Sequence, residues 1–360
     1  METLLISFVI SFVVALLIVR YEHLHARLSM DRDLDGVQKV HAIAVPRVGG
    51  IAVISGVFAG AVVSFVIHRT ISAEYFVLMG CAVPVVVFGI TEDLTKRVSA
   101  RARLIGSAIA ALIACYALKA VVGRVGVSYV DALLVIAPIA TVFTVFAVSG
   151  VVHAFNIIDG MNGLVSVVSI VILTSIGFVA HQVDDPLVVA VSLAMVGAIL
   201  GFLLWNYPVA QVFLGDGGAY FIGFVTAELL ILLTVRNSRI SPLYALLVTF
   251  YPVFETLFSI YRRRILRGLP VGAPDADHLH TLIFHRFVGR ELDQSNLHAR
   301  LICNSRTSSY LWVLNILAVA PATLFWDDPE LLAGFAVLFA VVYVWLYSSI
   351  VKFRDPIWLR

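Results

Sequence analysis

The chain has 360 residues, 61% of them hydrophobic and 13% charged, with a formal net charge of +2. Soluble domains carry roughly 25% charged residues, so this composition excludes an ordinary water-soluble enzyme. An all-α, polytopic integral membrane protein is expected, in contact with the lipid bilayer and with no nucleic-acid partner.

A helix needs roughly 20 apolar residues to cross a hydrocarbon layer of about 30 Å. Runs of this kind recur at about 2–19, 48–68, 75–90, 104–122, 131–152, 164–180, 186–205, 218–235, 242–261, 309–326 and 331–351, which predicts eleven transmembrane helices. The first run is preceded by Glu2 and followed by Arg20, the reverse of a cleavable signal peptide's charge order, so it should remain as a membrane helix. The loops after odd-numbered runs, with the C-terminal tail, hold 20 of the 25 Lys and Arg residues. Positive charge is retained on the cytoplasmic side, so the N-terminus is predicted outside and the C-terminus inside. The basic inner face suits anionic headgroups and anionic substrates. Cys81 and Cys115 fall inside spans and Cys303 in an inner loop, so neither a disulfide framework nor a metal–thiolate site is expected.

No internal repeat or low-complexity tract is evident, and one integral domain, 1–360, is the simplest organisation. Its polar motifs share a side. VQKVHAIAVPRVGG follows the first run, TEDLTKRV the third, HAFNIIDGMNGL the fifth, NYPVAQVFLGDGG the seventh, and an Arg- and His-rich segment containing DADHLHTLIFHR the ninth. The cytoplasmic loops at about 20–47, 91–103, 153–163, 206–217 and 262–308 are therefore expected to form one active site. A short amphipathic helix on the membrane surface is expected around 277–287.

Asp159 and Asp216 each sit beside glycines at a predicted helix start. Helix N-termini offer free N–H groups and a positive dipole end, and glycine lets phosphate approach the backbone. Acids alone would repel phosphate, and a hard divalent cation resolves this because Mg²⁺ takes one or two protein oxygens and completes its octahedron with phosphate oxygens. Asp216 is the first candidate ligand and the Asn156 side-chain oxygen the second, although Asn and Asp also cap helices. Glu92 and Asp93 are adjacent acids that can help hold a cation or share a proton. Lys39, His41 and Arg47 can grip phosphate oxygens. His278 and His280, two apart, share a side only where the chain is extended, and binding diphosphate through N–H donors fits them better than zinc. Phe213 can stack on a planar base, and Glu255 can orient one of the arginines.

Together these segments resemble the polyprenyl-phosphate N-acetylhexosamine-1-phosphate transferase family. HAFNIIDGMNGL is similar to its NAFNxxDGxDGL, FLGDGGAYFIG to its FxGDxGSxxLG, KVHAIAVPRVGG to its KxHxxPxPRxGG, and DADHLHTLI to its HxHH loop. The resemblance implies ten or eleven helices around a cytoplasmic site in the bacterial inner membrane. There, undecaprenyl phosphate would attack the sugar-side phosphorus of a UDP-N-acetylhexosamine, releasing UMP, with Mg²⁺ or Mn²⁺ as cofactor. It implies Asp216 and Asn156 as metal ligands, Asn162 and Phe213 at uracil, His278 and His280 on the diphosphate, Lys39 near phosphate and Asp93 as a proposed base; it also allows a homodimer. The default donor is UDP-N-acetylglucosamine and the default role the start of O-antigen or related envelope polysaccharide. Glu92, His153, Asn162 and Thr281 depart from the family pattern, and the three consecutive histidines of the peptidoglycan branch are absent. The rival readings are a secondary transporter of an anionic metabolite, which predicts polar groups near the bilayer midplane, and a non-catalytic scaffold.

Overall fold

The computed structural model describes residues 1–30, 44–68, 73–270, 275, 277–288 and 297–352. All its regular elements are helical: α1 (Glu2–Arg20), α2 (Glu22–Ser29), α3 (Gly50–His68), α4 (Glu74–Cys81), α5 (Val83–Thr95), α6 (Ala100–Ala117), α7 (Ser128–Leu134) and α8 (Ala137–Ile157). They continue with α9 (Leu164–Gln182), α10 (Pro186–Asn206), α11 (Gly215–Arg236), α12 (Pro242–Val248), α13 (Phe250–Tyr261), α14 (Leu279–Ile283), α15 (Leu297–Leu324) and α16 (Pro329–Val351).

Each predicted apolar run falls on helix, but the runs are not eleven equal spans. Among the described residues nine helices are long and apolar enough to cross a membrane, with α4 and α5 counted as one. A tenth arises if α12 and the helix starting at Phe250 are one span, bent by 74°. The apolar part of α3, Gly50–Val66, is shorter than the rest. The run predicted at 131–152 is displaced: α7 stops at Leu134 and α8 begins at Ala137 with Pro138 in its first turn, where a missing N–H costs nothing and φ is already helical.

Helix α11 is the axis of the bundle. Every residue from Gly215 to Leu233 is buried, as expected of a helix that is apolar all round, and α3, α5, α8 and α9 pack around it. Helix α1 packs on α10 and α3 through Thr3, Ser7, Ser11 and Ala15, four apart on one face. Small residues let backbones approach where apolar lipid gives no hydrophobic drive to association, and a Cβ on Gly197 of α10 would lie 2.2 Å from the Leu4 carbonyl oxygen. The opposite face of α1 exposes Leu5, Val9, Val13 and Leu17, a surface suited to lipid.

The segment around 277–287 differs from the amphipathic surface helix expected there. Leu279 to Ile283 form α14, all five residues are buried, and a wider-pitch turn over Phe284–Val288 follows. Helices α15 and α16 pack against α14, so its polar residues point into the protein rather than toward headgroups.

Candidate active site

Two glycine-bearing motifs meet backbone to backbone. Phe213 N–H donates to the Pro46 carbonyl (2.8 Å), Gly49 N–H to Phe213 O (2.9 Å) and Gly50 N–H to Leu214 O (2.7 Å). A Cβ on Gly50 would lie 2.4 Å from the Gly218 nitrogen, and one on Gly89 2.5 Å from the Gly217 Cα. The glycines after Asp216 therefore admit the ends of α3 and α5 to the start of α11. The sequence reading had them admit phosphate, whereas only Gly215 of the three lines the cavity described below.

This convergence brings Asp93, at the end of α5, to the N-terminus of α11. Asp216 N–H donates to Asp93 Oδ1 (2.8 Å) and Gly217 N–H to Oδ2 (2.9 Å), so Asp93 satisfies two of the N–H groups that a helix start leaves unpaired. Arg47 Nε lies 3.4 Å from Asp93 Oδ1. Asp216 itself is buried and met from three sides: Arg47 Nη2 at 2.5 Å from Oδ1, Arg103 Nη1 on Oδ2, and Asn156 Nδ2 donating to Oδ1 at 3.1 Å. The Asn156 amide oxygen accepts from Tyr220 Oη at 3.4 Å. Asn156 thus turns its nitrogen, not its oxygen, toward Asp216. Glu92 turns away, its Oε2 accepting Val98 N–H at 2.8 Å, and does not line the cavity.

The histidines form another wall. His278 has extended backbone just before α14 and His280 lies in that helix's first turn, which places both imidazoles on one side with ring centroids 5.4 Å apart and planes 4° from parallel. Glu255 on α13 lies 3.1 Å from His278 Nδ1, accepts Leu279 N–H at 3.1 Å and accepts the Tyr343 hydroxyl. A carboxylate only accepts, so His278 Nδ1 carries the proton. Glu255 therefore orients a histidine, not the arginine expected from the sequence. Arg262 instead pairs with Asp275, which also accepts from Ser259 Oγ (2.8 Å) and Asp277 N–H (3.1 Å).

These walls enclose a cavity of about 370 Å³ lined by Arg47, Arg103, Asn156, Asp159, Asn162, Phe213, Asp216, Asp275, His278 and His280, among others. The structure thus brings together eight of the residues singled out from sequence, Arg47, Asn156, Asp159, Asn162, Phe213, Asp216, His278 and His280, with Asp93 directly behind Asp216. Lys39 and His41 lie outside the described residues. Arg103 and Asp275 were missed. Arg103 gave one signal, a cation in the first turn of α6 where the helix dipole disfavours it.

Burial sets the electrostatics of Asp159 and His280. It pushes the Asp159 carboxyl up to about 7, with Arg47 opposing and Asp216 adding to the shift. Burial and the neighbouring His278 push His280 down to about 4, against the pull of Glu255 and Asp275. His280 is therefore neutral at pH 7 and offers one N–H rather than a full charge. Asp275 lies below the usual carboxylate range: burial would raise it, but its N–H and hydroxyl donors, with His278 and Arg262, outweigh that.

The sequence pattern of glycosyl transferase family 4 matches residues 75–234, a stretch holding Asp93, Asn156, Asp159, Asn162 and Asp216. The chain is 26% identical over 282 residues to a probable undecaprenyl-phosphate N-acetylglucosaminyl 1-phosphate transferase of Bacillus subtilis, covering 78% of this chain and 77% of the relative. It is 29% identical over 256 residues to an undecaprenyl-phosphate alpha-N-acetylglucosaminyl 1-phosphate transferase of Salmonella typhi, covering 70% and 68%. Residues 75–234 thus carry the pattern of glycosyl transferase family 4. The chain also shares 32% identity over 166 residues with the decaprenyl-phosphate N-acetylglucosaminephosphotransferase of Mycolicibacterium smegmatis, over 42% of this chain and 38% of that one.

Proposed function

We propose that this protein transfers N-acetylglucosamine 1-phosphate from a UDP-sugar to undecaprenyl phosphate at the cytoplasmic face of a bacterial inner membrane. An oxygen of the lipid phosphate bonds to the sugar-side phosphorus, the diphosphate bridge breaks, and UMP leaves with the bridging oxygen. The product, undecaprenyl diphosphate N-acetylglucosamine, would start O-antigen or a related envelope polysaccharide. The observation that carries this reading is the pairing of Asp216 with Arg47 and Arg103 at the wall of the cavity. An acid flanked by partly exposed cations suits a ligand that brings both phosphate and a cation.

The donor set also suits Mg²⁺, with Mn²⁺ as a substitute. Asp216 offers hard oxygen atoms at the cavity wall, Asn156 would join it by turning its amide oxygen from Tyr220 Oη toward the cation, and a cation that keeps water and takes phosphate oxygens needs no more than one or two such groups. When bound, the cation would neutralise charge developing on the transferred phosphoryl group. The chain's own residues do the rest. Arg47 and Arg103 are placed to take phosphate oxygens in exchange for Asp216, and His280, stacked on the His278 ring that Glu255 holds, adds an N–H donor on the other wall. Phosphoryl transfer asks for alignment and charge compensation above all, and an already anionic lipid phosphate needs no strong base. The polar groups gather at helix ends and loops, which favours this reading over the transporter.

The test is UMP release by detergent-purified protein given undecaprenyl phosphate, Mg²⁺ and a panel of UDP-N-acetylhexosamines. Turnover with UDP-N-acetylglucosamine that stops on chelation is the expected result. No release across the panel from folded protein would overturn the reading.

A further inference from the structure

Among its described side chains helix α15 gives none to the lining of the cavity, yet three successive turns of it grip one turn of the cavity wall. Asn304 Oδ1 accepts Asn162 N–H at 2.7 Å, Ser308 Oγ donates to the Asn162 carbonyl at 2.7 Å, and Trp312 Nε1 donates to the Gly163 carbonyl at 3.3 Å. The spacing of four puts the three side chains on one stripe of the helix. Gly163, with φ of 70°, is held from the other side by Asn206 Oδ1, which accepts its N–H at 2.7 Å. Asn162 and Asn304 are both fully enclosed, at 2% exposure.

This grip has a consequence for the Asn162 side chain. Its Nδ2 donates to the Pro208 carbonyl at 3.1 Å, while its Oδ1 is buried with no partner in a residue that lines the cavity. A carbonyl accepts only, so the amide cannot flip without setting two acceptors against each other. Asn162 therefore presents a fixed acceptor, and a buried acceptor left unpaired is costly until a ligand fills it. A ligand with an N–H or O–H donor meets that demand.

We propose that Asn304, Ser308 and Trp312 are positioning residues that hold the Asn162 turn so that its amide oxygen reads a donor group of the nucleotide substrate. The inference rests on the cavity being a UDP-sugar site. Because this stripe of α15 meets the cavity wall at the Asn162 turn, it governs how well the nucleotide is bound and leaves the phosphoryl chemistry alone. Asn304 offers a clean dissection, since its Nδ2 is itself buried without a partner. Asn304→Asp keeps the accepting oxygen and discards a donor that bonds nothing, whereas Asn304→Ala discards both.

The experiment measures UMP binding to the purified full chain by calorimetry, alongside steady-state kinetics with UDP-N-acetylglucosamine and undecaprenyl phosphate. Asn304→Ala is expected to weaken UMP binding and raise the KM for the UDP-sugar by about ten-fold, the loss of one well-placed hydrogen bond. Its kcat and its KM for the lipid should stay within about two-fold, and Asn304→Asp should restore most of the affinity. Thermal unfolding in detergent distinguishes a folding defect, in which case Ser308→Ala, read by the same measurements, takes its place. Unchanged UMP affinity in folded Asn304→Ala and Ser308→Ala would overturn the proposal, as would equal losses in kcat and in both KM values. If the unsubstituted protein neither binds UMP nor turns over, the reading of the cavity has failed, which is a different result.

Discussion

Asp216 and Asp275 are buried carboxylates of the same cavity and each is met by two arginines, but the arginines differ in their freedom. Arg47 and Arg103 keep 27% and 21% of their side-chain surface exposed, whereas Arg262 and Arg263 keep 4% and 7%. Around Asp275 the donors also include Ser259 and the Asp277 N–H, and Arg262 is further tied to Tyr347 Oη at 2.6 Å. One acid is held by cations that can change partner, the other by cations that cannot. A pair with an outlet to the cavity belongs to ligand exchange. An enclosed pair whose desolvation is offset by extra hydrogen bonds fixes a wall.

Substitutions should separate the two acids. Asp216→Asn is expected to lower kcat/KM for UMP release by roughly a thousand-fold or more with little change in thermal stability. Retention of a tenth of the activity would remove Asp216 from the machinery. Asp275→Ala should act on the fold, leaving Arg262 buried without its counter-charge at a cost of about 3–5 kcal/mol, read as a lower denaturation midpoint in detergent. A variant as stable as the parent would erase the contrast. Arg103→Ala is expected to raise the KM for the UDP-sugar about ten-fold or more, as loss of a charge-assisted contact implies, while lowering the Mg²⁺ concentration for half-maximal rate. If both move the same way, Arg103 does not exchange between Asp216 and substrate.

The smallest expected effect is on pH dependence without substrate. His280 titrates near 4 in the fold against an ordinary 6.5, so the unfolded chain takes its proton first. The stability it contributes is full above pH 6.5 and drains as pH falls toward 4. Asp159 runs oppositely: with its carboxyl raised to about 7 from 3.8, its contribution is full below about pH 4 and is lost as pH rises through 7. Melting curves of His280→Gln should lose the acid-side slope and those of Asp159→Asn the neutral-side slope. An unchanged profile in both would place the titrating groups elsewhere.

The sequence was legible where a polar residue interrupts an apolar run. Asn156, Asp159, Asn162 and Asp216 stand out because nothing in a membrane helix needs them, and all four line the cavity. The bend between α12 and α13 had a local signal in Pro252, which supplies no N–H to the helix. Partnerships were not legible. Nothing near Glu255 says that it faces His278, 23 residues on, or that Asn304 meets Asn162 from 142 residues away. Such pairs are set by how helices pack, and a one-dimensional pattern carries no record of crossing. Glycines 217 and 218 misled for a related reason: a missing side chain admits a ligand or a neighbouring helix equally well, and only the packing decides.

Asp93 carries a lesson for how this site should be probed. Its two carboxylate oxygens are spent on the backbone of residues 216 and 217, so the side chain acts as a rivet between α5 and α11. Replacing it would loosen the start of the helix that carries Asp216, and an inactive variant could not tell a lost proton acceptor from a displaced Asp216 carboxylate. A role for Asp93 in proton transfer is better sought by following its ionisation during turnover, with the rivet left in place.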